Sequence, residues 1–448
     1  MDVIGKVILV YVALLPWMSW ADQFHYNNVL IGDRAMGLGG AFTAVADDAS
    51  GVFYNPAGLA FALSNDISGS ANAFYKRRVV YKETIGDEDF TENSEGSMAP
   101  FFGGLQKLDN IYPGLVFAFG IYSIDSELKD QDDLIENPSL YIERFHRTVN
   151  IRASTTAFSG ALAKRFGGGL SFGLGAAYLT ADELVQEYQD ALTMVNQGGV
   201  LVTTNGGTSA ILRLLNQNIR QRLMVSALEV SLGVQWAFLG RLSIGANIKT
   251  RTVMSQEWEN GQETTVGYVD NNYKVVKDED IPSSAGAGLI SRNVVEPDTI
   301  NENPVGGWPS ELRFGVAYFA TTRLLLSMDA IRYGESKGDI PLYHRESVTN
   351  FAFGGEYYIT PAVPVRLGLF QNNDARPEVK SGEVNQPDHI DYTGFSLFFA
   401  WVQPNSQISI GSVYQKGIGK AQKISSQPRM QDVEAISSTV AFSATHSF

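Results

Sequence analysis

The chain has 448 residues, no cysteine and a formal net charge of -14. Without cysteine it forms no disulfides, and its excess of acid argues against a nucleic-acid partner. No run of 18 or more apolar residues follows the first 20 residues, which excludes a bundle of transmembrane helices. The length fits either two or three soluble domains or one large barrel.

Residues 1–21 are predicted to be a secretory signal peptide. A short apolar run from Val7 to Trp17 follows Lys6, and Ser19-Trp20-Ala21 has the small-x-small pattern of a cleavage site. Asp2 departs from the usual basic start of such a segment. We therefore expect an exported chain that is cut after Ala21.

The next segment, residues 22–65, is rich in Gly and Ala and too irregular for one long helix. The run Gly37-Leu38-Gly39-Gly40 gives a permissive backbone. Ala41 to Ala46 predicts a short helix, and Asp47 and Asp48 are start signals for another. Asn55-Pro56-Ala57-Gly58 predicts an Asn N-cap with Pro at the first helical position. We expect a compact unit that packs inside the rest of the chain.

From residue 66 to residue 448, apolar residues alternate with small or polar ones. A period of two predicts β-strands. In one strand the apolar residues are Leu228, Val230, Leu232, Val234, Trp236 and Phe238. The strands are predicted near 67–82, 98–108, 113–126, 147–165, 168–184, 221–238, 241–259, 309–320, 322–334, 348–359, 363–373, 390–403, 406–417 and 434–448.

The predicted connections alternate between short and long. A soluble sandwich has no reason to sort its loops in this way, whereas an outer-membrane barrel has tight periplasmic turns and long outer loops. We therefore predict an all-β fold: a transmembrane antiparallel β-barrel of about 14 strands with the N-terminal helical segment as a plug in its lumen. The long connections are predicted at 83–97, 127–146, 185–220, 260–308, 335–347, 374–389 and 418–433.

The Gly- and Ala-rich segment also carries a family pattern. Its residues are Ala35, Gly37, Gly39, Gly40, Ala41, Ala44, Ala46, Asp47, Asp48 and Asn55-Pro56-Ala57-Gly58-Leu59. This pattern resembles the start of the FadL/TodX-like outer-membrane transport family, in which the segment is a plug, or hatch, inside a fourteen-stranded barrel. Related barrels of secretion and of unknown role share much of it.

The resemblance implies passive uptake of hydrophobic small molecules through the outer membrane of a Gram-negative-type bacterium. Long-chain fatty acids or related hydrocarbons are the cargo that it suggests. A structural or secretion-accessory barrel with a protein partner is the alternative, and a barrel enzyme is a third class. The resemblance implies a plug or gating role for Gly37, Gly39, Gly40, Asp47, Asp48, Asn55, Pro56, Ala57 and Gly58.

Residues Ser209 to Ile219 interrupt the alternation. Four apolar residues there fall at helical spacing, which predicts an amphipathic helix within an outer loop. In the family the corresponding loop helps to form a first hydrophobic site for the cargo. The alternative is a helix that only packs on neighbouring loops. The candidate ligand-binding residues are Ile211, Leu212, Leu215 and Ile219.

Charged residues on the predicted inner face are further candidates. Arg313 and Arg366 could pair with a cargo carboxylate. The alternative is that such charges pair with each other or with the plug acids Asp47 and Asp48. In the family a kink in the third strand opens a lateral gap, and Gly120 is the candidate here, although Gly also fits any crowded interior. The other inward charges are Glu229, Lys249 and Glu311.

The chain ends on an alternating segment that finishes at Phe448. This resembles the terminal signal read by the outer-membrane assembly machinery, although His446 stands where an apolar residue is usual. The histidines show no metal-ligand spacing and no nucleophile motif stands out, so we expect no metal, no cofactor and no enzyme activity. We expect a monomer that contacts hydrophobic cargo, outer-membrane lipids and lipopolysaccharide. Acid clusters at Asp87-Glu88-Asp89 and Asp130, Asp132, Asp133 either hold cations among lipopolysaccharide phosphates or are simply solvated.

Overall fold

The structure is a computed structural model. It describes residues 24–26, 28–85, 88–139, 142–194, 196–197, 200–201, 210–270, 272, 274–277, 280, 291–300, 305–339, 343–384, 386–423 and 429–448. The predicted signal peptide, residues 1–21, lies outside the described residues. In the part of the chain that is described, no helix is long and apolar enough to cross a membrane.

Fourteen long strands form one antiparallel sheet. Each strand pairs with its neighbours in the sequence, and the last strand pairs with the first, so the sheet closes into a barrel. Closure leaves no free edge. The predicted barrel of about 14 strands is therefore confirmed. The strands are β1 Asp66–Ile85, β2 Glu88–Lys107, β3 Leu115–Ser139, β4 Ile142–Arg165, β5 Leu170–Met194, β6 Leu212–Phe238, β7 Leu242–Val269, β8 Glu311–Phe319, β9 Leu324–Tyr333, β10 Thr349–Thr360, β11 Val363–Asn372, β12 His389–Gln403, β13 Ser406–Ala421 and β14 Gln431–Ser447.

Three shorter strands lie outside this cycle. Ser291–Ile300 pairs with the outer half of β7, and Asn196–Gln197 forms a small hairpin with Val200–Leu201. The strand Ser291–Ile300 therefore adds to the outer end of the wall.

The outer half of the barrel corrects the predicted loops. In their described residues, the segments 83–97, 127–146 and 185–220 are mostly strand, not loop, because β1 to β6 continue far beyond the apolar belt. Both faces of these extensions carry polar residues. The apolar alternation is therefore lost while the backbone pairing continues.

Of the predicted helix from Ser209 to Ile219, Ser209 lies outside the described residues, and the prediction is wrong over residues 210–219. Leu212 begins β6, which pairs with β5 in unbroken register from Met194↔Leu212 onward. Ile211, Leu215 and Ile219 are spaced by four residues, and this spacing repeats on one face of a helix and equally on one face of a strand. All three are buried on the inner face of the wall.

The outer face of the wall carries an apolar belt. Leu232 on β6 is 56% exposed, whereas its neighbour Ser231 is buried inside. Leu228, Val230 and Trp236 are also exposed on this outer face, as predicted. A closed antiparallel barrel with such a belt is the architecture of outer-membrane proteins. The chain therefore spans the outer membrane of a Gram-negative-type bacterium.

The segment before β1 folds inside the barrel as the plug. It contains two short α-helices, α1 Asp33–Gly37 and α2 Gly51–Tyr54, and a 3-10 helix at Pro56–Phe61. The predicted helix over Ala41 to Ala46 is wrong, since this stretch makes a single turn. The turn ends at Ala46, whose φ of +34° leaves the right-handed helical region.

Candidate functional site

The plug fills the lumen of the barrel. Ile31, Leu38, Phe42 and Leu59 are fully buried and pack with inward side chains of the wall. A fourteen-stranded barrel encloses more space than its own side chains fill. The plug therefore supplies the packing that an open pore lacks.

Glycines of the plug allow this close approach. A Cβ atom on Gly37 would lie 2.7 Å from Cβ of Arg366, and one on Gly39 would lie 3.1 Å from the Gly368 Cα. Gly39 and Gly40 also have φ angles of +63° and +83°, which favour glycine. The tight contacts explain why these positions carry no side chain.

Asn55 joins the plug to itself and to the wall. Its side-chain oxygen accepts a hydrogen bond from Ala57 N at 3.1 Å, so the predicted N-cap of the helix at Pro56 is confirmed. Its amide nitrogen donates to Thr43 O at 2.8 Å and to Val234 O of β6 at 3.2 Å. One fully buried side chain thus connects two plug turns and a barrel strand.

Asp329 of β9, three strands from β6, also holds the plug. One of its carboxylate oxygens accepts hydrogen bonds from Phe42 N at 3.0 Å, Thr43 N at 2.9 Å and Thr43 Oγ1 at 2.6 Å. All of these groups are buried. Hydrogen bonds to a charged acceptor are stronger than neutral ones. This contact was not predicted, because no local pattern pairs residues so far apart.

We call the Asp329 contact a latch, because it fastens the plug to the wall. A chain of ion pairs is a second latch. Arg366 of β11 lies 3.2 Å from Asp33 of α1 and 2.7 Å from Glu356 of β10. Glu356 also binds Arg34 at 2.8 Å, and Arg34 binds Asp47 at 2.9 Å. Arg366 therefore pairs with a plug acid as one alternative expected, but the acid is Asp33, and Asp47 pairs within the plug.

Asp48 precedes the first residue of α2 by three positions. Its carboxylate accepts hydrogen bonds from the backbone N and the hydroxyl of Ser50, at 2.9 and 2.5 Å. Burial raises the pKa of Asp48 to about 6, and the bonds from Ser50 offset only part of that effect. The charge state of the plug therefore changes within a physiological range of pH.

Above α2 the lumen holds a buried charge cluster, which we define as Glu229, Lys249, Arg251, Glu311 and Arg313. Arg251 lies 2.7 Å from Glu229 and 3.0 Å from Glu311, and Arg313 also donates to Glu311. Lys249 Nζ lies 3.3 Å from Glu311 and 4.0 Å from Glu229. Three cations thus face two carboxylates.

Lys249 is the least satisfied member of the charge cluster. Its buried ammonium has ion-pair neighbours but no hydrogen-bond acceptor among the described residues. It lies 3.8 Å from the centre of the Phe53 ring of the plug. The hydroxyl of Tyr26 is likewise buried without a hydrogen bond in the described part of the chain. Donors without acceptors mark a place where an acceptor could bind.

The start of the described chain lies in an aromatic pocket next to the charge cluster. The guanidinium groups of Arg345 and Arg376 lie 5.3 and 5.2 Å from the centre of the Phe24 ring, and the ring of Tyr26 stacks on that of Tyr333 at 4.0 Å. Tyr333 in turn accepts a hydrogen bond from Arg313 at 3.4 Å. The aromatic pocket thus places an apolar lining next to the charge cluster, which has one more cation than carboxylates.

The wall has a break beside the plug. Among the described residues the ladder between β2 and β3 runs from Lys107↔Val116 to Phe101↔Tyr122 and ends there. Gly120 lies below the break and is paired on both sides. A Cβ atom on it would lie 2.9 Å from Val52 of α2. The lateral-gap role of Gly120 therefore stays a prediction, and the geometry gives Gly120 a contact with the plug.

Solved structures of other proteins share this architecture. Over 93% of the chain, the fold matches 98% of a FadL homologue from Pseudomonas aeruginosa at a TM-score of 0.56 and 13% identity. The toluene transporter TodX from Pseudomonas putida matches over the same shares at 0.57 and 13%. The chain has the FadL/TodX fold. The toluene transporter TbuX from Ralstonia pickettii also matches, over 93% and 98% of the two chains at 0.50 and 12%.

When the sequence alone is compared, no family model and no curated protein matches the chain. At 13% identity the likeness lies in the fold, so cargo has to be argued from the side chains of this lumen. Within the described residues, no group of three or more His, Asp or Glu side chains is placed to hold a metal ion.

The acids proposed to hold cations on this FadL/TodX-type barrel mostly lie on strands. Asp89 pairs with Lys82 at 2.8 Å and Asp132 pairs with His146 at 2.5 Å, while Asp87 is outside the described residues. At the other end of the chain, Phe448 N donates to Asn65 O at 3.1 Å beside β1. The assembly role of Phe448 stays a prediction.

Proposed function

We propose that this protein takes up hydrophobic molecules with an acidic head group, long-chain fatty acids above all, across the outer membrane. The observation that carries the proposal is Lys249, a buried ammonium without a hydrogen-bond acceptor in a charge cluster with one cation in excess. A buried charge is costly unless it is paired and hydrogen-bonded. A cargo carboxylate would supply the missing acceptor and balance the charge.

The same argument separates two cargo classes. TodX and TbuX are toluene transporters, and toluene has no charge. Such a cargo would leave Lys249 as it is. A fatty acid would use both parts of the site, with its head at the charge cluster and its chain along the aromatic pocket around Tyr333 and Tyr343.

Uptake in this proposal is passive. Apolar burial supplies roughly 25 cal/mol per Å² of cargo surface, which is enough to capture a long alkyl chain without a nucleotide. Phe24 and Tyr26 fill the aromatic pocket in the present structure, so the cargo takes their place and they withdraw. Their displacement, transmitted to α1 and α2, would be the plug movement that passes the cargo on.

The break between β2 and β3 is the exit that we favour over the periplasmic end. Phe101 and Tyr122 lie at the break and are buried on the inner face of the wall. They belong to the same hydrophobic cluster as Val52 of α2. Above them Gln131 bridges the two strands through Thr91 O at 2.7 Å and Asn93 N at 3.0 Å. Side-chain bridges open more readily than a backbone ladder.

Equilibrium binding to the detergent-purified protein tests the head-group claim. Oleate and oleyl alcohol share one alkyl chain and differ at the head, so their affinity ratio reports the carboxylate. We expect oleate to bind at least tenfold more tightly, and Lys249→Met to abolish the difference. Lys420→Met is the control, because Lys420 is exposed and paired with Asp432 at 2.5 Å.

Two results would overturn the proposal. Equal affinities for oleate and oleyl alcohol in the wild type would remove the head-group site. Absence of binding by either lipid, together with co-purification of one protein partner in stoichiometric amount, would favour the accessory-barrel alternative.

A further inference from the structure

The outer face of β13, β14 and β1 carries a basic patch, which we define as Lys76, Arg78 and Lys416. Lys416 opposes Ile436 of β14, and Ile436 opposes Arg78 of β1. Lys76 lies two residues from Arg78 on the same face. Since neighbouring strands are about 4.8 Å apart and two residues along a strand span about 6.6 Å, the three side chains start within about 12 Å of one another.

The basic patch lies at the upper edge of the apolar belt. Eleven residues separate Ile436 from Ser447 at the periplasmic end of β14. At about 3.3 Å per residue and a tilt near 40°, they rise about 28 Å, slightly more than the roughly 25 Å of an apolar band. Below the patch, Val440 and Phe442 of β14 are exposed on the same face. The patch therefore faces the outer-leaflet head groups.

The three cations of the basic patch are free. None of them forms an ion pair or a side-chain hydrogen bond with any described residue. Two carboxylates share this face: Glu95 opposes Lys76, and Glu434 lies one row above Arg78. Neither is within ion-pair distance of the patch.

Several other cations on the outer wall are already paired. On β6, Arg222 binds Asp182 at 3.0 Å and Arg220 lies 3.8 Å from Glu259. Near the basic patch, Lys82 and Lys420 bind Asp89 and Asp432. In a chain with a net charge of -14, three adjacent cations without partners therefore stand out.

We propose that the basic patch binds the phosphate groups of an outer-leaflet glycolipid whose acyl chains lie on the belt below. Phosphate accepts hydrogen bonds from Lys and Arg, and Arg does so bidentately. Tyr414, 43% exposed and directly opposite Ser438, borders the patch at the depth where aromatic residues anchor barrels. This lipid site would lie on the outer surface of the wall, whereas the proposed cargo site lies in the lumen.

Native mass spectrometry of the detergent-purified protein tests the site. The probes are a hexa-acylated disaccharide lipid with two phosphates and the same lipid without phosphate. We expect the phosphorylated form to bind at least tenfold more tightly, and the preference to fall with salt. Lys76→Gln, Arg78→Gln and Lys416→Gln together should abolish it.

A matched triple variant controls for total charge. The control removes an equal number of positive charges from the outer face of β4 and β6, through Arg152→Gln, Arg220→Gln and Arg222→Gln. The preference for the phosphorylated lipid should remain. Heat-modifiable mobility verifies that both variants fold. Equal loss in both triples, or no loss in the patch variant, would overturn the proposal. Full competition by inorganic phosphate, or a dimer lost only in the patch variant, would assign the patch to a free anion or to a second copy instead.

Discussion

Asp329 of the barrel wall and Thr43 of the plug meet through one carboxylate oxygen, which accepts from the Thr43 backbone at 2.9 Å and from its hydroxyl at 2.6 Å. The same oxygen accepts from Phe42 N. Three donors converge on a fully buried acceptor. This is a point at which removal of a single side chain should loosen the plug while the closed sheet remains intact.

Asp329→Ala should therefore loosen the plug. Hydrogen bonds to a charged group contribute about 1.5–3 kcal/mol each, so the loss of this acceptor should weaken docking by roughly 3 kcal/mol or more. We expect faster hydrogen exchange across residues 37–58 and a higher single-channel conductance, with heat-modifiable folding unchanged. Asp182→Ala, which removes an exposed carboxylate on the outer face, is the control. Wild-type exchange in Asp329→Ala would contradict the latch.

Asn55→Ala should act on the same plug from the β6 side. An N-cap is worth about 1 kcal/mol, and the two further hydrogen bonds of its amide nitrogen add about 1 kcal/mol each. The closed barrel should survive this loss, while cargo uptake and the protease resistance of the plug should change. Unchanged uptake and unchanged plug protection in the variant would show that Asn55 has no gating role.

The plug should also respond to pH through Asp48. Burial raises the pKa of Asp48 to about 6, from a value near 4 for the exposed group. The docked plug thus holds a proton that the undocked carboxyl releases from about pH 4 upward. Docking is therefore fully favoured below about pH 4 and weakens as the pH rises through 6.

Hydrogen exchange of residues 37–58 at pH 5 and at pH 7.5, corrected for intrinsic rates, measures this effect. We expect more protection at pH 5 in the wild type. Asp48→Asn stays neutral and should lose the part of the pH dependence that Asp48 causes. A pH dependence as large in Asp48→Asn as in the wild type would place the titrating group elsewhere.

The apolar belt can be tested with two equally exposed leucines. Leu232→Arg, at a lipid-facing position, should destabilise the folded barrel by roughly 2–4 kcal/mol if it lies near the midplane. Leu134 is 60% exposed but lies on the β3 extension beyond the belt, so Leu134→Arg should cost little. Urea unfolding in lipid vesicles measures both. Equal costs would contradict the assigned position of the membrane.

Local patterns in the sequence predicted the barrel and the plug, because alternation at Leu228 to Phe238 and the Asn55-Pro56 cap are short-range features. They failed at Ile211, Leu215 and Ile219, whose spacing fits a helix and a strand equally. The plug latches were also beyond reach: Asp329 meets Thr43 across 286 residues. Asp33 carried only a weak local signal, an acid in the first turn of a short helix, and this signal does not indicate its wall partner Arg366.

Uptake of radiolabelled oleate is the most direct test of the account. The host is a Gram-negative strain without its own fatty-acid transporter that produces this protein in its outer membrane. We predict that the wild type restores uptake, that Lys249→Met lowers the initial rate about tenfold at equal protein level, and that Lys420→Met leaves it unchanged. A correctly assembled wild-type barrel that restores no oleate uptake, or a Lys249→Met variant as fast as the wild type, would contradict it.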